Sequence, residues 1–302
     1  MIEAGARMAF GYLRNQYGLR ENRPPLRFLA RTWSFLVSWR GQRLVPAQMA
    51  GLQVLVPASD RTIARSVYTS GDWDPLLVGT VFDALAAYGH RHQGTVFLEV
   101  GANFGVYSLP AVAELGFARS IAYEPDPSAY SLLEENIQRN GLRARVSAHH
   151  AALSDAPGEL TLSLGGGNAG DNRVVADRGE PRRATVRVEA RTFDDEVGSG
   201  NIPLDELGLV WLDVQGHEAS VLDGAQSLLH SGVPVVLEYA TALLDDDARR
   251  RLDDTIVANF DVFVDLGWCA LTNRLRFQPT SAINRLGRGR LNLETDLLLL
   301  HG

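Results

Sequence analysis

Residues 96–108 read V-F-L-E-V-G-A-N-F-G-V-Y-S, and this stretch decides the fold. Its first five residues are mostly apolar and predict a short buried strand, and a turn with Gly101 and Gly105 follows at once. Glycine lets the backbone turn tightly and lets a ligand approach without a Cβ in the way. The stretch therefore predicts a strand, a ligand-accessible turn and the start of a helix.

The rhythm of a short apolar strand followed by a helix repeats from residue 95 to the end of the chain. Such alternation is typical of an α/β fold with a Rossmann-like, doubly wound and mostly parallel sheet. Residues 158–205 interrupt it before the fourth strand, and they predict a β insertion with a mobile glycine loop, Gly165–Arg173. The seven predicted strands are 95–100, 120–125, 146–153, 209–214, 233–239, 262–267 and 296–301.

Residues 1–90 lack this alternation of strand and helix patterns. Residues 1–50 mix Arg, aromatic residues and Leu, and Pro24-Pro25 separates two predicted helices. Residues 52–57 alternate like a strand, and a helix is predicted to follow with Ser59 or Asp60 as its N-cap. We therefore expect residues 1–90 to form a helical and β extension on the substrate side, and residues 91–302 to form the Rossmann-like domain.

Composition excludes several classes of protein. The chain of 302 residues has 29 basic and 36 acidic residues, a net charge of −7, which argues against a nucleic-acid or anionic-membrane partner. All the basic residues are Arg, so catalysis that needs a lysine amine is excluded. A single cysteine, Cys269, excludes an internal disulfide and predicts a small core residue. The most apolar N-terminal residues, 28–39, contain Arg31 and are too few to span a bilayer, so we expect a cytoplasmic protein. A homodimer is left open.

Three acidic residues lie at or just beyond the ends of predicted strands: Glu99, Glu124 and Asp213. Ligands of such sheets bind outside the carboxyl ends of the strands, so these carboxylates are candidates for a binding site. Glu124 ends the second strand, about twenty residues after the glycine turn, where a carboxylate accepts hydrogen bonds from ribose hydroxyls.

The glycine spacing bears on the cofactor. Dinucleotide folds use G-x-G-x-x-G with a pyrophosphate at the helix N-terminus, whereas this chain has G-x-x-x-G preceded by Glu99. A carboxylate there repels a pyrophosphate and suits the ammonium and sulfonium of S-adenosylmethionine. An NAD-dependent oxidoreductase and a non-catalytic nucleotide- or sugar-binding protein stay as alternatives.

Further segments bring out a family resemblance. Residues 96–108 and 121–137 resemble the first two motifs of class I methyltransferases, and 151–162 resembles the segment beside the adenine. Residues 210–225, V-W-L-D-V-Q-G-H-E-A-S-V-L-D-G-A, resemble the D-V-x-G-x-E-x-x-V-L-x-G-A hallmark of FkbM-family methyltransferases. The resemblance covers about residues 53–242 and leaves the first fifty residues unexplained.

The resemblance implies a small-molecule methyltransferase that uses S-adenosylmethionine. It implies that Glu99, Gly101, Asn103 and Ser108 surround the methionine part of the cofactor. It also implies that Glu124 holds the ribose, that Ala152 lies against the adenine, and that Asp213 lies beside the methyl group. The predicted cofactor site further includes their neighbours Ala102, Phe104, Gly105 and Pro125.

Catalysis is expected to need a base for the acceptor hydroxyl of a sugar or polyketide-type natural product. His217 and Asp213 are the candidates, since a neutral histidine is an effective base near pH 7. The alternative for His217 is a helix-start residue that bonds only to backbone. A divalent metal ion on Asp213, His217, Glu218 and Glu238 is left open but not expected, and no residue is assigned to a metal.

Acceptor choice is predicted to lie outside the cofactor core. The candidates are Tyr68, Trp73 and Asp74 in the N-terminal extension and the glycine loop Gly165–Arg173. The indole ring of Trp73 offers a flat apolar surface with one hydrogen-bond donor, which suits the face of a sugar or polyketide. The alternative interpretation is that Trp73 only packs beneath the N-terminal helices. The sequence does not identify the acceptor or decide between O- and N-methylation.

Overall fold

A computed structural model describes residues 44–60, 62–165, 169–175, 183–286 and 293–302. The two helices predicted around Pro24-Pro25 lie outside the described residues. The strands are β1 Leu44–Met49, β2 Leu52–Pro57, β3 Val96–Val100, β4 Arg119–Tyr123, β5 Val146–His149, β6 Ala152–Leu153, β7 Gly158–Ser163, β8 Arg173–Val175, β9 Thr185–Arg191, β10 Leu207–Leu212, β11 Val235–Ala240, β12 Val262–Asp265, β13 Phe277–Pro279 and β14 Glu294–Leu300. The helices are α1 Ile63–Ser70, α2 Pro75–Tyr88, α3 Ser108–Ala113, α4 Pro127–Arg139, α5 Phe193–Gly198, α6 Glu218–Asp223, α7 Gln226–Leu229, α8 Asp246–Asn259 and α9 Leu266–Thr272.

The main sheet has the order β13-β12-β14-β11-β10-β3-β4-β5. Strands β5, β4, β3, β10 and β11 run parallel, and β14 pairs antiparallel with β11. The predicted α/β class and mostly parallel sheet are confirmed. The predicted number of seven strands was one too low, because β13 is a three-residue edge strand whose sequence F-Q-P carries no usable periodicity.

The third predicted strand also needs correction. Its first part is β5, but its last two residues form β6 and pair with β9, outside the main sheet. The predicted β insertion, residues 158–205, is confirmed: its strands β7, β8 and β9 form a four-stranded sheet together with β6, in the order β6-β9-β7-β8. Residues 166–168 of the glycine loop and residues 176–182 lie outside the described residues.

Helices cover both faces of the main sheet, as a doubly wound fold requires. Leu85 of α2, Leu109 of α3 and Leu133 of α4 pack in one core with Phe97 and Trp211 of the sheet. Helices α6, α7 and α8 pack on the opposite face. Successive side chains of β3 lie on opposite faces of the sheet: Phe97 packs in the first core and Leu98 in the second. Cys269 is buried in the first core, as predicted.

The described part of the N-terminal extension begins with a hairpin of β1 and β2. Its two-residue turn, Ala50-Gly51, has φ of 50° and 72°, the left-handed geometry that matches the twist of the paired strands. Helix α1 starts after Thr62, so the predicted N-cap at Ser59 or Asp60 was wrong. The Asp60 carboxylate instead accepts a hydrogen bond from the Thr62 backbone N–H at 2.8 Å and shapes the preceding turn. In the described part of the chain no helix combines the length and the apolar character needed to cross a bilayer.

Two asparagines of α4 attach the hairpin to the Rossmann-like domain. Asn136 accepts from the Leu55 N–H at 2.7 Å and donates to the Leu55 carbonyl at 3.1 Å. Asn140, one turn later, makes the same pair of bonds with Gln53, both at 2.9 Å. Side-chain amides thus take the place of a neighbouring strand along β2. Asn136 is fully buried and also donates to the Phe104 carbonyl, next to the glycine turn.

We predict that Asn136→Ala lowers the free energy of unfolding by about 2–3 kcal/mol, because it leaves the buried Phe104 carbonyl and the part-buried backbone groups of Leu55 without their partners. Asn140→Ala is the matched control and should cost less than about 1 kcal/mol, since its contacts with Gln53 are open to water. Urea unfolding of both variants measures the difference. Equal losses would contradict the role assigned to Asn136.

Candidate functional site

A cleft of about 730 Å³, part of it open to solvent, lies at the carboxyl ends of β3, β4 and β10. This is the position expected for the ligand of a doubly wound sheet. Eight of the predicted site residues line the cleft: Glu99, Gly101, Asn103, Glu124, Pro125, Ala152, Asp213 and His217.

The remaining four predicted residues, Ala102, Phe104, Gly105 and Ser108, are buried and do not line the cleft. Ala102 and Phe104 pack in the core beneath the turn. Ser108 donates its hydroxyl hydrogen bond to Glu99, so it supports the site from behind. Ser108 itself does not line the cleft but contacts a residue that does.

Glu99 joins the end of β3 to the start of α3. Its carboxylate accepts hydrogen bonds from the backbone N–H groups of Tyr107, at 3.2 Å, and Ser108, at 2.6 Å. Burial raises the pKa of Glu99 to about 8, although the hydrogen bonds from Ser108 and Tyr107 oppose the rise. The carboxylate therefore occupies the N–H groups at the beginning of α3, where a dinucleotide fold would hold a pyrophosphate.

Glu124 is the second buried carboxylate of the cleft. It accepts from the backbone N–H of Asn103 at 2.7 Å and from that of Asp126 at 2.8 Å. Burial raises its pKa to about 7, against the effect of these two bonds. The side chain is thus held rigidly at the end of β4, across from the glycine turn.

The turn after β3 depends on Gly101 and Asn103. Gly101 has φ of 91°, and a Cβ built on it would lie 1.9 Å from the Asp213 carbonyl oxygen. Asn103 also has a positive φ, 52°, and its buried Oδ1 has no hydrogen-bond partner among the described residues. The turn therefore presents an unpaired acceptor beside a backbone that comes close to β10.

Asp213 begins a row of carboxyl groups across three neighbouring strands. The Gln215 amide donates to Asp213 Oδ1 at 2.9 Å and to Glu238 Oε2 at 2.8 Å. Glu238 lies directly opposite Asp296 in the pairing of β11 with β14. Burial raises the pKa values of Asp213, Glu238 and Asp296. A row of acidic groups thus runs from Asp213, which lines the cleft, across the two neighbouring strands β11 and β14.

The four residues considered for a metal do not converge. Glu218 accepts from the backbone N–H groups of Val214 and Gly216, at 3.3 and 3.2 Å, and so stabilises the start of its own helix. His217 bonds to Ser154, and the Gln215 amide lies between Asp213 and Glu238. Within the described ranges, no group of three or more His, Cys, Asp or Glu residues has the arrangement of a metal site.

His217 lies at the start of α6, as predicted, and lines the cleft. Its Nε2 is 2.9 Å from the Ser154 hydroxyl, so the side chain bonds to another side chain rather than to backbone. Burial lowers the pKa of His217, which keeps the imidazole neutral near pH 7.

An aromatic wall borders the cleft on the side of the N-terminal extension. Trp73 Nε1 donates to the Tyr107 hydroxyl at 3.0 Å, and Tyr107 stacks on Trp211 with a centroid distance of 4.1 Å. Trp73 lines the cleft, whereas Tyr68 lies on a separate groove beside the hairpin. Burial raises the pKa of Asp74 to about 6, and its carboxylate caps α2 through the Leu77 N–H.

The glycine loop also reaches the cleft, through Gly170 and Asn172. Asn172 donates to Asp126 at 2.8 Å and accepts from the Gly165 N–H at 2.7 Å, which fastens the described part of the loop beside Glu124.

The sequence analysis did not single out Tyr107, Ser154 or Gln215 as site residues. Gln215 could have been found, because it lies inside the D-V-Q-G motif next to Asp213. Tyr107 and Ser154 carry no local signal, since their roles depend on contacts with Trp73 and His217, far away in the sequence.

Comparison with known proteins identifies a family that matches this chain. The model of the methyltransferase FkbM domain matches residues 99–254. The 2-O-methyltransferase NoeI of Sinorhizobium fredii is 27% identical over 158 residues, which is 48% of this chain and 63% of NoeI. The hexuronic acid methyltransferase AglP of Haloferax volcanii is 26% identical over 162 residues, which is 54% of this chain and 63% of AglP. The chain thus spans less than two thirds of the length of these curated relatives.

Among solved structures, the crystal structure of the methyltransferase FkbM from Methylobacillus flagellatus is similar. It has 13% sequence identity and a TM-score of 0.42, over 76% of this chain and 56% of that chain.

We predict that Gly101→Ala lowers the free energy of unfolding by about 3 kcal/mol or more, because the new Cβ would collide with the Asp213 carbonyl and strain the backbone. Gly89→Ala is the control: its φ is also positive, 85°, but nothing lies within 4 Å of the added Cβ. It should cost about 1 kcal/mol. Thermal and urea unfolding compare the two, and a similar loss in both would rule out the close approach of Gly101 to β10.

Proposed function

Because the chain belongs to the methyltransferase FkbM family, we propose that it is an S-adenosylmethionine-dependent O-methyltransferase. Its acceptor is a hydroxyl group of a small molecule, either a sugar or a polyketide-type natural product. The names of NoeI and AglP, a 2-O-methyltransferase and a hexuronic acid methyltransferase, support this acceptor class.

The observation that carries the proposal is the contact of Glu99 with α3. A pyrophosphate needs free N–H groups and positive charge at this helix start. Here the N–H groups of Tyr107 and Ser108 bond to a carboxylate, and no described residue that lines the cleft is an Arg. This arrangement favours a cationic ligand without phosphate over NAD.

The residues of the cleft fit the parts of S-adenosylmethionine. The Glu99 carboxylate and the unpaired Asn103 Oδ1 suit the ammonium group, and Glu124 suits the ribose hydroxyls. An apolar wall suits the adenine ring: Ala152, Leu153, Leu162 and Val174. When bound, S-adenosylmethionine supplies a methyl group on a positively charged sulfur.

The chain must then orient the acceptor and receive the proton of its hydroxyl group. His217 and Asp213 are the two groups proposed for the proton. His217 is neutral near pH 7 and therefore has a lone pair for it. Asp213 lies on the cleft, and the Gln215 amide holds its carboxylate in place. A divalent metal ion is not required by this chemistry, because the sulfonium is already an activated leaving group.

Acceptor choice is assigned to the surfaces outside the cofactor core. Trp73 and the described residues Gly170 and Asn172 line the cleft from the N-terminal extension and from the insertion. We extend the proposal to a cytoplasmic enzyme that acts on neither nucleic acid nor membranes. The boundary near residue 90 separates the substrate side from the cofactor domain in this proposal.

Calorimetry with S-adenosylhomocysteine and with NAD tests the proposed cofactor. We expect micromolar binding of S-adenosylhomocysteine and none of NAD. Glu124→Gln should weaken binding by about tenfold, because a charge-assisted bond to ribose contributes about 1.5–3 kcal/mol and the amide keeps part of it. NAD binding without a response to S-adenosylhomocysteine would overturn the proposed cofactor.

The raised pKa values of Glu99 and Glu124, about 8 and about 7, predict pH-dependent cofactor binding. The cationic ligand favours ionised carboxylates, so its affinity should rise about tenfold from pH 6 to pH 8, with proton release near pH 7. Without ligand, the native chain holds more protons than the unfolded chain between about pH 4.5 and pH 8, so stability falls as pH rises through this window. Glu99→Gln is the control and should reduce the pH dependence to the part that Glu124 contributes. A wild-type affinity independent of pH would contradict the assignment.

An acceptor screen by mass spectrometry tests the reaction itself. Candidate sugars and polyketides are incubated with enzyme and S-adenosylmethionine, and the expected product is heavier by one CH₂ group. Removal of divalent ions by a chelator should leave the yield unchanged. A yield that disappears and returns with magnesium would contradict the proposed metal-free chemistry.

A further inference from the structure

A chain of two hydrogen bonds leads from the cleft to the surface through His217. The imidazole Nε2 is 2.9 Å from the Ser154 hydroxyl oxygen. That hydroxyl donates to Asp155 Oδ1 at 2.8 Å. Ser154 is 1% exposed, whereas Asp155 is exposed, so the relay crosses from buried to solvated surroundings.

The direction of these bonds fixes the proton on the imidazole. A serine hydroxyl has one hydrogen, and in this relay it goes to Asp155. The Ser154 oxygen must therefore accept from Nε2–H of His217, which leaves Nδ1 with its lone pair. Nδ1 makes no hydrogen bond to any described residue, and His217 lines the cleft.

The backbone holds Ser154 in the position that this relay needs. Its N–H donates to the Arg191 carbonyl at 2.8 Å, where the β6–β9 pairing ends. Its carbonyl oxygen lies against Gly224, and a Cβ at Gly224 would come within 2.1 Å of that oxygen. The absence of a side chain at the end of α6 therefore lets Ser154 approach the helix that begins after His217.

We propose that Ser154 and Asp155 are positioning residues that hold His217 in the Nε2–H tautomer, so that Nδ1 is the atom that takes the proton of the acceptor hydroxyl. This inference rests on the proposed methyltransferase function and chooses His217 over Asp213 as the base. Nothing in the family hallmark demands it, since the x positions of D-V-x-G-x-E leave this residue unspecified.

The step balances in atoms and charge. The acceptor oxygen loses its proton to Nδ1 as it gains the methyl carbon, and the donor sulfur keeps the electron pair of the broken bond. The positive charge of the sulfonium thus passes to the imidazole ring. Asp155, joined to the ring through Ser154, stabilises the imidazolium that results.

Two charges on different elements act on this histidine. Asp155 favours the protonated ring, and Arg251 of α8 disfavours it. Arg251 is itself bonded to Asp223 at 2.7 Å, at the end of α6. Asp223 takes no part in the relay and offers a matched control.

Nitrogen-15 NMR of the imidazole rings tests the tautomer in the free protein. His217 is assigned by the signals lost in His217→Ala, and the Nδ1 and Nε2 shifts give the ratio of the two neutral tautomers. We expect wild type to be almost entirely Nε2–H. Ser154→Ala and Asp155→Ala should each lower that ratio by about tenfold, because either change removes the bond that directs the proton.

Asp155→Ala keeps the test valid if Ser154→Ala fails to fold, because Asp155 is exposed. Asp223→Asn should leave the ratio unchanged. A wild-type Nδ1–H tautomer, or a ratio that no relay variant alters, would overturn the proposal. This measurement needs neither cofactor nor acceptor, so it is independent of whether methyl transfer is the right function.

Once an acceptor has been identified, measurement of kcat and KM tests whether His217 is the base and whether Asp155 positions it. His217→Ala should lower kcat by about 100-fold or more, and Asp155→Ala by about tenfold with the acceptor KM unchanged. Asp155→Asn should recover part of the loss, because its amide oxygen still accepts from Ser154. Full kcat in His217→Ala would overturn the proposed base, and a change in KM alone would reduce Asp155 to a structural role.

Discussion

The carboxylate of Glu99 holds the first turn of α3 against the end of β3, and the shape of the cleft follows from this contact. Two backbone N–H groups and the Ser108 hydroxyl bind it, so the helix cannot move away from the strand. The glycine turn between them is compressed enough that Gly101 approaches β10 without room for a Cβ. The N–H groups at this helix start are bound by the protein itself and are therefore not available to an anion. The position of α3 and the lack of free N–H groups at its start thus both depend on one buried side chain.

A row of buried carboxyl groups crosses the sheet beside the cleft. Asp213 directly follows β10, and Glu238 and Asp296 lie on the neighbouring strands β11 and β14. Burial disfavours the charge of each. Ionisation of more than one member of this row costs stability, because like charges on neighbouring strands repel. The single amide of Gln215 bridges two of the carboxylates and limits the repulsion between them.

Much of the fold was predictable because its signals are local. Residues 96–108 combine an apolar strand, a positive-φ glycine and a helix start within one short stretch, and the structure has all three. The β13 strand and the division of residues 146–153 between two sheets were missed, since pairing partners decide them. Glu99, Glu124 and Asp213 were placed at the cleft because strand ends are visible in the sequence. The supporting partners Ser154 and Tyr107 were not, because 63 residues separate Ser154 from His217 and 34 separate Tyr107 from Trp73.

The asparagines of α4 have a consequence for self-association. A two-stranded hairpin has two open edges, and each is a row of backbone groups on which a strand of another molecule can assemble. Asn136 and Asn140 close the β2 edge with amide groups that belong to a helix and cannot propagate a sheet. Intermolecular growth along this edge would first have to break both pairs of bonds. The same residues that join the hairpin to the Rossmann-like domain therefore also protect the chain against aggregation at that edge.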